Sequence, residues 1–260
     1  MSTNITAIVD RLDAARLDRM PTGQFDPPFD LDCGYAAQKE SVTRRMARGE
    51  RVIGLKMGFT SRTKMAQMGV ADMIWGRLTD AMIVEDGGVL DTSAFIHPRT
   101  EPEIAFLLAR PISGPITPLQ ALEAVAAVAP AIEIIDSRYK DFRFTHEEVV
   151  ADNCSSAAVV VGPWRPRTID TANLGMMLSV DGRPRHYASS AALLGHPLRS
   201  LVAASRLVAR YGASGGELES GSIILAGAAT AAVPVEPGRH ISLEVERLGT
   251  TGFTAHGGHA

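Results

Sequence analysis

Cysteine is almost missing from this chain. Cys33 and Cys154 are the two in 260 residues. They stand far apart and form no CxxC pair. That excludes a disulfide framework and gives no support to a structural zinc site, and in a reducing compartment both are expected as free thiols. Aromatic side chains are scarce too, at 5% of residues. Ala and Val are plentiful instead, so the expected core is built from small aliphatics. No run approaches the roughly 18 apolar residues of a membrane-spanning helix. Residues 1–20, with Asp10, Arg11, Asp13, Arg16, Asp18 and Arg19, lack the apolar stretch of a secretory signal. The expected location is the cytoplasm. No block of Lys or Arg stands out against a formal net charge of −3, so neither nucleic acid nor a membrane surface is an expected partner.

What is present divides at Arg51. Before it, Ile5, Ile8, Val9, Leu12, Ala15 and Leu17 recur at mostly helical spacing. A Pro-rich loop comes next at Pro21–Pro28, and residues 34–48 read as a second helix. Residues 1–50 are thus expected to form a helical segment and residues 51–260 a β-rich domain. In the second part, short apolar runs are broken by Gly and Pro: 51–57, 81–84, 101–108, 131–136, 157–161, 222–226, 233–235 and 241–247. Asp181-Gly182 marks a hairpin between 176–180 and 185–187. Thr117 and Pro118 open a helix predicted to reach Val128. Pro197–Tyr211 is amphipathic and Gly212 ends it. The tail from Gly252 onward is expected to fray. Strands and helices do not alternate regularly, which favours an α+β fold over a doubly wound parallel sheet.

The chemistry concentrates in carboxylates. In Thr100-Glu101-Pro102-Glu103-Ile104-Ala105-Phe106, a strand projects Glu101 and Glu103 from one face. The remainder of the run is apolar, so two like charges share a half-buried place, which is unfavourable without a cation or proton between them. Glu133 stands inside Ala131-Ile132-Glu133-Ile134-Ile135. An ionised carboxylate buried there without a partner costs several kcal/mol or more. Three carboxylates with no paired His or Cys point to a hard cation, Mg²⁺ or Mn²⁺. The competing reading pairs these acids with Arg99, Arg138 or Arg143, or leaves them at strand ends in solvent. Lys56, between Gly54 and Gly58, reads on its own as a lysine reaching for solvent.

Taken together, Gly54–Thr60 (GLKMGFT), His97–Phe106 (HPRTEPEIAF), Pro130–Phe144 (PAIEIIDSRYKDFRF), Val150–Ser156 (VADNCSS), Gly195-His196-Pro197 and Gly221–Val235 resemble the fumarylacetoacetate hydrolase superfamily. The resemblance is to its branch of 2-oxo acid hydratases and decarboxylases. It implies a mixed β-roll core, self-association, Mg²⁺ ligands at Glu101, Glu103 and Glu133, and an active-site lysine at Lys56. Leu225-Ala226-Gly227-Ala228-Ala229-Thr230 departs from the family pattern, as does Cys154. LKMG and DSRYKDFRF lean toward the decarboxylases.

The resemblance further implies decarboxylation of 2-oxohex-3-enedioate or a close analogue, a step of aromatic-compound breakdown. The alternatives are hydration of 2-hydroxypenta-2,4-dienoate and a non-catalytic subunit in a hydratase/decarboxylase complex. Asp80, Ser155 and Ser156 are expected substrate contacts, and Arg138 or Arg143 is expected to meet a second carboxylate. A metal-free Schiff base on Lys56 would leave the three acids without a purpose. C–C hydrolysis fits less well, since residues 61–70 contain no His.

Overall fold

The computed structural model describes residues 4–61, 65, 70, 72–212 and 217–257. The chain opens with two helices, α1 (Ile5–Asp18) and α2 (Leu31–Ala47). The Asn4 side chain accepts from the Ala7 N–H and the Asp30 side chain from the Cys33 N–H, satisfying amides that a helix start leaves unpaired. Both helices pack against the β-rich part of the chain. Ile8, Val9 and Leu12 share a cluster with Tyr139 and Ala151, and Gln38 Nε2 donates to the carbonyls of Trp75 and Val150.

Sixteen strands succeed them among the described residues: β1 (Val52–Gly58), β2 (Ile74–Thr79), β3 (Ile83–Val84), β4 (Val89–Asp91), β5 (Arg99–Leu108), β6 (Ile112–Ser113), β7 (Val125–Ile135), β8 (Ser156–Val161), β9 (Arg165–Pro166), β10 (Gly175–Val180), β11 (Arg183–Ser189), β12 (Glu217–Leu218), β13 (Ile223–Leu225), β14 (Val233–Pro234), β15 (His240–Val245) and β16 (Gly249–His256). Three α-helices interrupt them: α3 (Pro118–Ala124), α4 (His146–Ala151) and α5 (Leu198–Tyr211). The expected α+β class with a β-roll core is what the chain forms. No helix among the described residues is long and apolar enough to cross a membrane.

The main sheet runs β2-β1-β13-β5-β7-β8-β3, with β14 on β5 and β9 on β7. Its two ends belong to one short piece of chain, because only Asp80–Met82 separates β2 from β3. A sheet whose last strand is the continuation of its first must curl back on itself. The interior is correspondingly narrow, and small side chains fill much of it: Ala105, Ala129 and Ala131 pack with Val159, Leu225, Leu78 and Met82. The abundance of Ala thus has a local cause. A second sheet, β11-β10-β15-β16-β4, and the pair β12-β6 complete the framework.

Three boundaries differ from the expectation. The helix from Pro118 ends at Ala124 instead of Val128, although its start carries the full Thr117/Gln120 capping box. Residues 125–129 pair with β5, from Leu108↔Val125 to Ala105↔Ala129, and those ladder bonds outweigh a modest helical preference. The tail is also better ordered than expected. Gly252–His256 belongs to β16, held between β15 and β4, while 258–260 fall outside the described residues. The run 81–84 supplies a strand only at 83–84, since 80–82 is a single 3₁₀ turn. The Asp181-Gly182 hairpin forms as read, with both φ values positive at 51° and 70°.

The tight interior yields a stability test. Ala129 is 0% exposed, so Ala129→Leu must displace its neighbours and is expected to cost about 1–3 kcal/mol. Urea unfolding measures this; an unchanged midpoint would mean that the interior has room to spare.

Candidate metal centre

Strand parity and pairing bring the three glutamates together. Glu101 and Glu103 share the inward face of β5, and Glu133 on β7 lies directly opposite Glu101. One oxygen from each of the three lies within 4.8 Å of the others. Glu103 and Glu133 are both 0% exposed. Glu103 Oε2 accepts the Gly227 N–H at 2.7 Å. Glu103 Oε1 and both oxygens of Glu133 are buried without a hydrogen-bond partner.

Lys56 enters from β1, two ladder steps from β5: Lys56 pairs with Leu225, and Leu225 pairs with Ala105. Its Nζ donates to the Cys154 carbonyl at 3.1 Å and stands 2.9 Å from Glu133 Oε2. The second contact is one of charge, off the angle of a hydrogen bond. Burial by itself would lower the Lys56 pKa, but the negative charges of Glu133, Glu101 and Glu103 outweigh it and raise it. Burial, together with the neighbouring Glu133 charge, pushes Glu103 well above the usual carboxylate range. Burial likewise lifts Glu133 to about 7, against the opposing pull of Lys56.

Among the described residues, Glu103 and Glu133 are fully buried beside the single ammonium of Lys56, where desolvation of charge is severe. The converging carboxylates of Glu101, Glu103 and Glu133 form an all-oxygen donor set, which suits a small hard cation. The residues present fit such an ion.

The turn between α4 and β8 closes one side. Asn153, Cys154 and Ser155 all have φ near +50°, at 48°, 55° and 56°, a conformation that disfavours non-Gly residues and tends to mark functional sites. Two contacts hold it. Buried Arg138 pairs with buried Asp152 and donates to the carbonyls of Asp136 and Asp152. The Asn153 side chain bonds both backbone groups of Arg77. Strain there turns the Cys154 carbonyl toward Lys56. Burial pushes the Cys154 thiol up to about 12, as expected of an inert buried cysteine.

Above the carboxylates opens a cavity of about 320 Å³, lined among others by Lys56, Arg99, Glu101, Phe142, Phe144 and Ser155. A larger one of about 480 Å³ lies between α2 and the start of β1. Glu50, Glu217 and Glu219 line it, but among the described residues the acids whose oxygens converge within 4.8 Å are Glu101, Glu103 and Glu133, so volume does not choose the site.

Several expected contacts lie elsewhere. Asp80 comes after β2 at the end away from Lys56 and accepts from Arg51 N and Nε, 2.9 Å each, near the surface. Ser156, the first residue of β8, is outside the cavity lining and its hydroxyl faces Met82 Sδ. Arg138 is spent on Asp152, and Arg143 is exposed and outside the cavity lining. Arg99, which the sequence offers only as a partner for the acids, lines the cavity instead, two residues before Glu101 on the same face of β5.

The family model "Fumarylacetoacetate (FAA) hydrolase C-terminal" matches residues 46–254. The chain belongs to this family. A Pseudomonas protein named 4-oxalocrotonate decarboxylase is 52% identical over 255 residues, covering 97% of this chain and 98% of its own. A 2-keto-4-pentenoate hydratase of Paraburkholderia xenovorans is 36% identical over 227 residues, covering 86% of this chain and 83% of its own. The solved structure of 4-oxalocrotonate decarboxylase from Pseudomonas putida G7, complexed with magnesium and adipate, superposes with a TM-score of 0.92 at 36% identity over 96% of this chain and 97% of that one. The chain is accordingly an enzyme of the lyase type within this family.

The geometry generates two tests. Glu103→Gln keeps an oxygen for the Gly227 N–H and removes one negative charge. It is expected to leave the metal-free protein as stable as before or more so, and to abolish the stabilisation by divalent cation that wild type shows, about 2.7 kcal/mol at a hundredfold excess over Kd. Thermal melts with and without MgCl₂ measure both. Arg138→Met strands a buried Asp152 charge and is expected to cost about 3–5 kcal/mol. Adding Asp152→Asn should recover part of that loss in chemical denaturation; no recovery would assign the loss to packing instead.

Proposed function

We propose that this chain decarboxylates 2-oxohex-3-enedioate or a close analogue, giving 2-hydroxypenta-2,4-dienoate and CO₂, with Mg²⁺ as the resident cation and Mn²⁺ as a second fit. The observation that carries the reading is the convergence of Glu101, Glu103 and Glu133 beside Lys56 at the floor of the cavity. The 52% identical relative and the magnesium complex of the similar structure support it.

The substrate ionises at both ends and carries a carbonyl at C2. Breaking C5–C6 releases CO₂. The electron pair forms C4=C5, the former C3=C4 pair becomes C2=C3, and the carbonyl pair moves onto the C2 oxygen. Protonation there completes the product. Held by the three glutamates, Mg²⁺ supplies Lewis-acid polarisation of the C2 carbonyl.

The chain's own groups do the remainder. The Lys56 ammonium, fixed by the Cys154 carbonyl and Glu133, sets a positive charge where the C2 oxygen gains a negative one, and in a dry site that charge counts for far more than in water. Ser155 lines the wall, with its hydroxyl donating to Asp152 Oδ2 at 3.5 Å. Phe142, Phe144, Ile135 and Val149 line the same cavity. Such a wall keeps water from the carbon chain. Hydration of the shorter dienoate needs water delivered to that chain and an acid–base group beside it. The apolar lining supports decarboxylation over hydration. Self-association, and association with a related hydratase, belong to the same proposal.

The test is turnover of 2-oxohex-3-enedioate and, separately, of 2-hydroxypenta-2,4-dienoate, with MgCl₂ and with EDTA, tracking CO₂ and products together. CO₂ release from the diacid alone, lost in EDTA and restored by Mg²⁺, is expected. Turnover of the dienoate alone would make the chain a hydratase. Full activity after verified metal removal would overturn the role given to the glutamates.

A further inference from the structure

We propose that Arg99 binds the far carboxylate of the substrate and makes the site selective for six-carbon diacids over monoacids; this rests on the proposed decarboxylation. Arg99, Glu101 and Glu103 are successive inward-facing residues of β5. They also form a gradient of depth. Glu103 is fully buried, whereas Glu101 and Arg99 are only partly covered and line the cavity. Arg99 therefore stands at the mouth and the carboxylate cluster at the floor.

The Arg99 guanidinium has no carboxylate partner or hydrogen bond among the described residues. Its contact is with a ring: the guanidinium carbon lies 4.1 Å from the Phe142 centroid. Phe142 is itself held in place. It has φ of 56° and packs against His97 with centroids 4.7 Å apart. His97 is tied by its ring to the Ser137 carbonyl and by its N–H to Asp136. A positioned cation without a counter-ion among the described residues, on an aromatic rail at the mouth of a cavity, is a receptor for an anion. Lys56, the other cation among the described lining residues, is engaged with Glu133 at the floor.

Length agrees with this assignment. Along β5 the backbones of Arg99 and Glu101 are about 6.6 Å apart, the same order of length as an extended six-carbon chain. A substrate with its 2-oxo acid end at the glutamates thus brings its far carboxylate to Arg99. A five-carbon dienoate ends in an uncharged carbon there. The P. putida structure contains adipate, a saturated six-carbon diacid, with magnesium.

The chemistry dictates what such a contact does to the rate. The far carboxylate is charged in the ground state and leaves as neutral CO₂, so only part of its attraction to Arg99 survives in the transition state; that part raises kcat/KM for a diacid over a monoacid, and the part that is lost serves binding alone. An interaction of that kind strengthens binding without accelerating the chemical step. Arg99 selects the substrate; it does not drive the cleavage.

The experiment uses the Mg²⁺-loaded full chain with Arg99→Met, which keeps bulk, and Arg99→Lys, which keeps charge without the planar fork. Binding of adipate and of hexanoate is measured by calorimetry, and diacid turnover by CO₂ release. Arg99→Met is expected to weaken adipate at least 30-fold and hexanoate less than threefold, with Arg99→Lys between. KM for the diacid should rise by a similar factor, with kcat unchanged or raised. Equal losses for adipate and hexanoate would overturn the proposal. So would a fall in kcat at constant KM. If wild type fails to turn over the diacid, the functional reading falls. The adipate–hexanoate comparison still decides Arg99, because wild type binding both alike would refute the assignment.

Discussion

Much near the centre of this protein answers one electrostatic problem: among the described residues, the carboxylates of Glu101, Glu103 and Glu133 and the ammonium of Lys56 meet inside a curled sheet, two of the acids fully buried. Each acid alone is expensive to bury, and together they repel. The fold meets part of that cost locally. Gly227 donates its N–H to Glu103 from a φ of +105°, and a Cβ there would meet Thr60 Oγ1 at 2.1 Å. Lys56 crosses two strands to reach Glu133. What remains unbalanced are oxygens with no partner. A site left negative and dry in this way is stable chiefly when a cation completes it. Its affinity for that ion and the folding of its walls are therefore one free-energy question.

The same constraint explains the less regular parts of the chain. A carbonyl must face Lys56, so the turn at Asn153–Ser155 takes a conformation that costs energy in three consecutive non-Gly residues. Arg138 and Asp152 are buried to hold that turn. Asp136, in β-register with neither Glu133 nor the cavity, accepts the N–H groups of Ile96 and His97 and fixes the chain just before Arg99. Residues that neighbour the glutamates in sequence thus serve the scaffold around them.

That division accounts for what could be read from the chain and what could not. Two-residue periodicity and the cost of a buried charge are enough to single out Glu101, Glu103 and Glu133, because both arguments are local. The same parity extended two residues back reaches Arg99. Arg138 and Arg143 are the more conspicuous arginines, in the run after Glu133. In that run the backbone has left the strand, and nearness in sequence no longer implies a shared face. Ser155 and Ser156 cannot be separated without knowing where β8 begins. Asp80 falls on the wrong side because nothing local tells which end of β2 is near the metal site. The helix from Pro118 is legible at its capped start and not at its end, where an Ala- and Val-rich stretch can satisfy either period and only the partner strand decides.

Decarboxylation and hydration make the same demand on the floor of this cavity: a polarised C2 carbonyl and a place for negative charge on its oxygen. The glutamates and Lys56 cannot by themselves distinguish the two reactions. Any difference must lie toward the mouth, where one substrate ends in a carboxylate and the other in a vinyl carbon. There Arg99 stands beside Phe142 and Phe144 in the described lining, and Arg99 is held by a ring instead of an acid. An acidic partner would already have neutralised it, whereas a ring leaves its N–H groups free in the plane for an incoming anion. The choice of Phe at 142, more than the presence of Arg at 99, keeps the mouth receptive to a diacid.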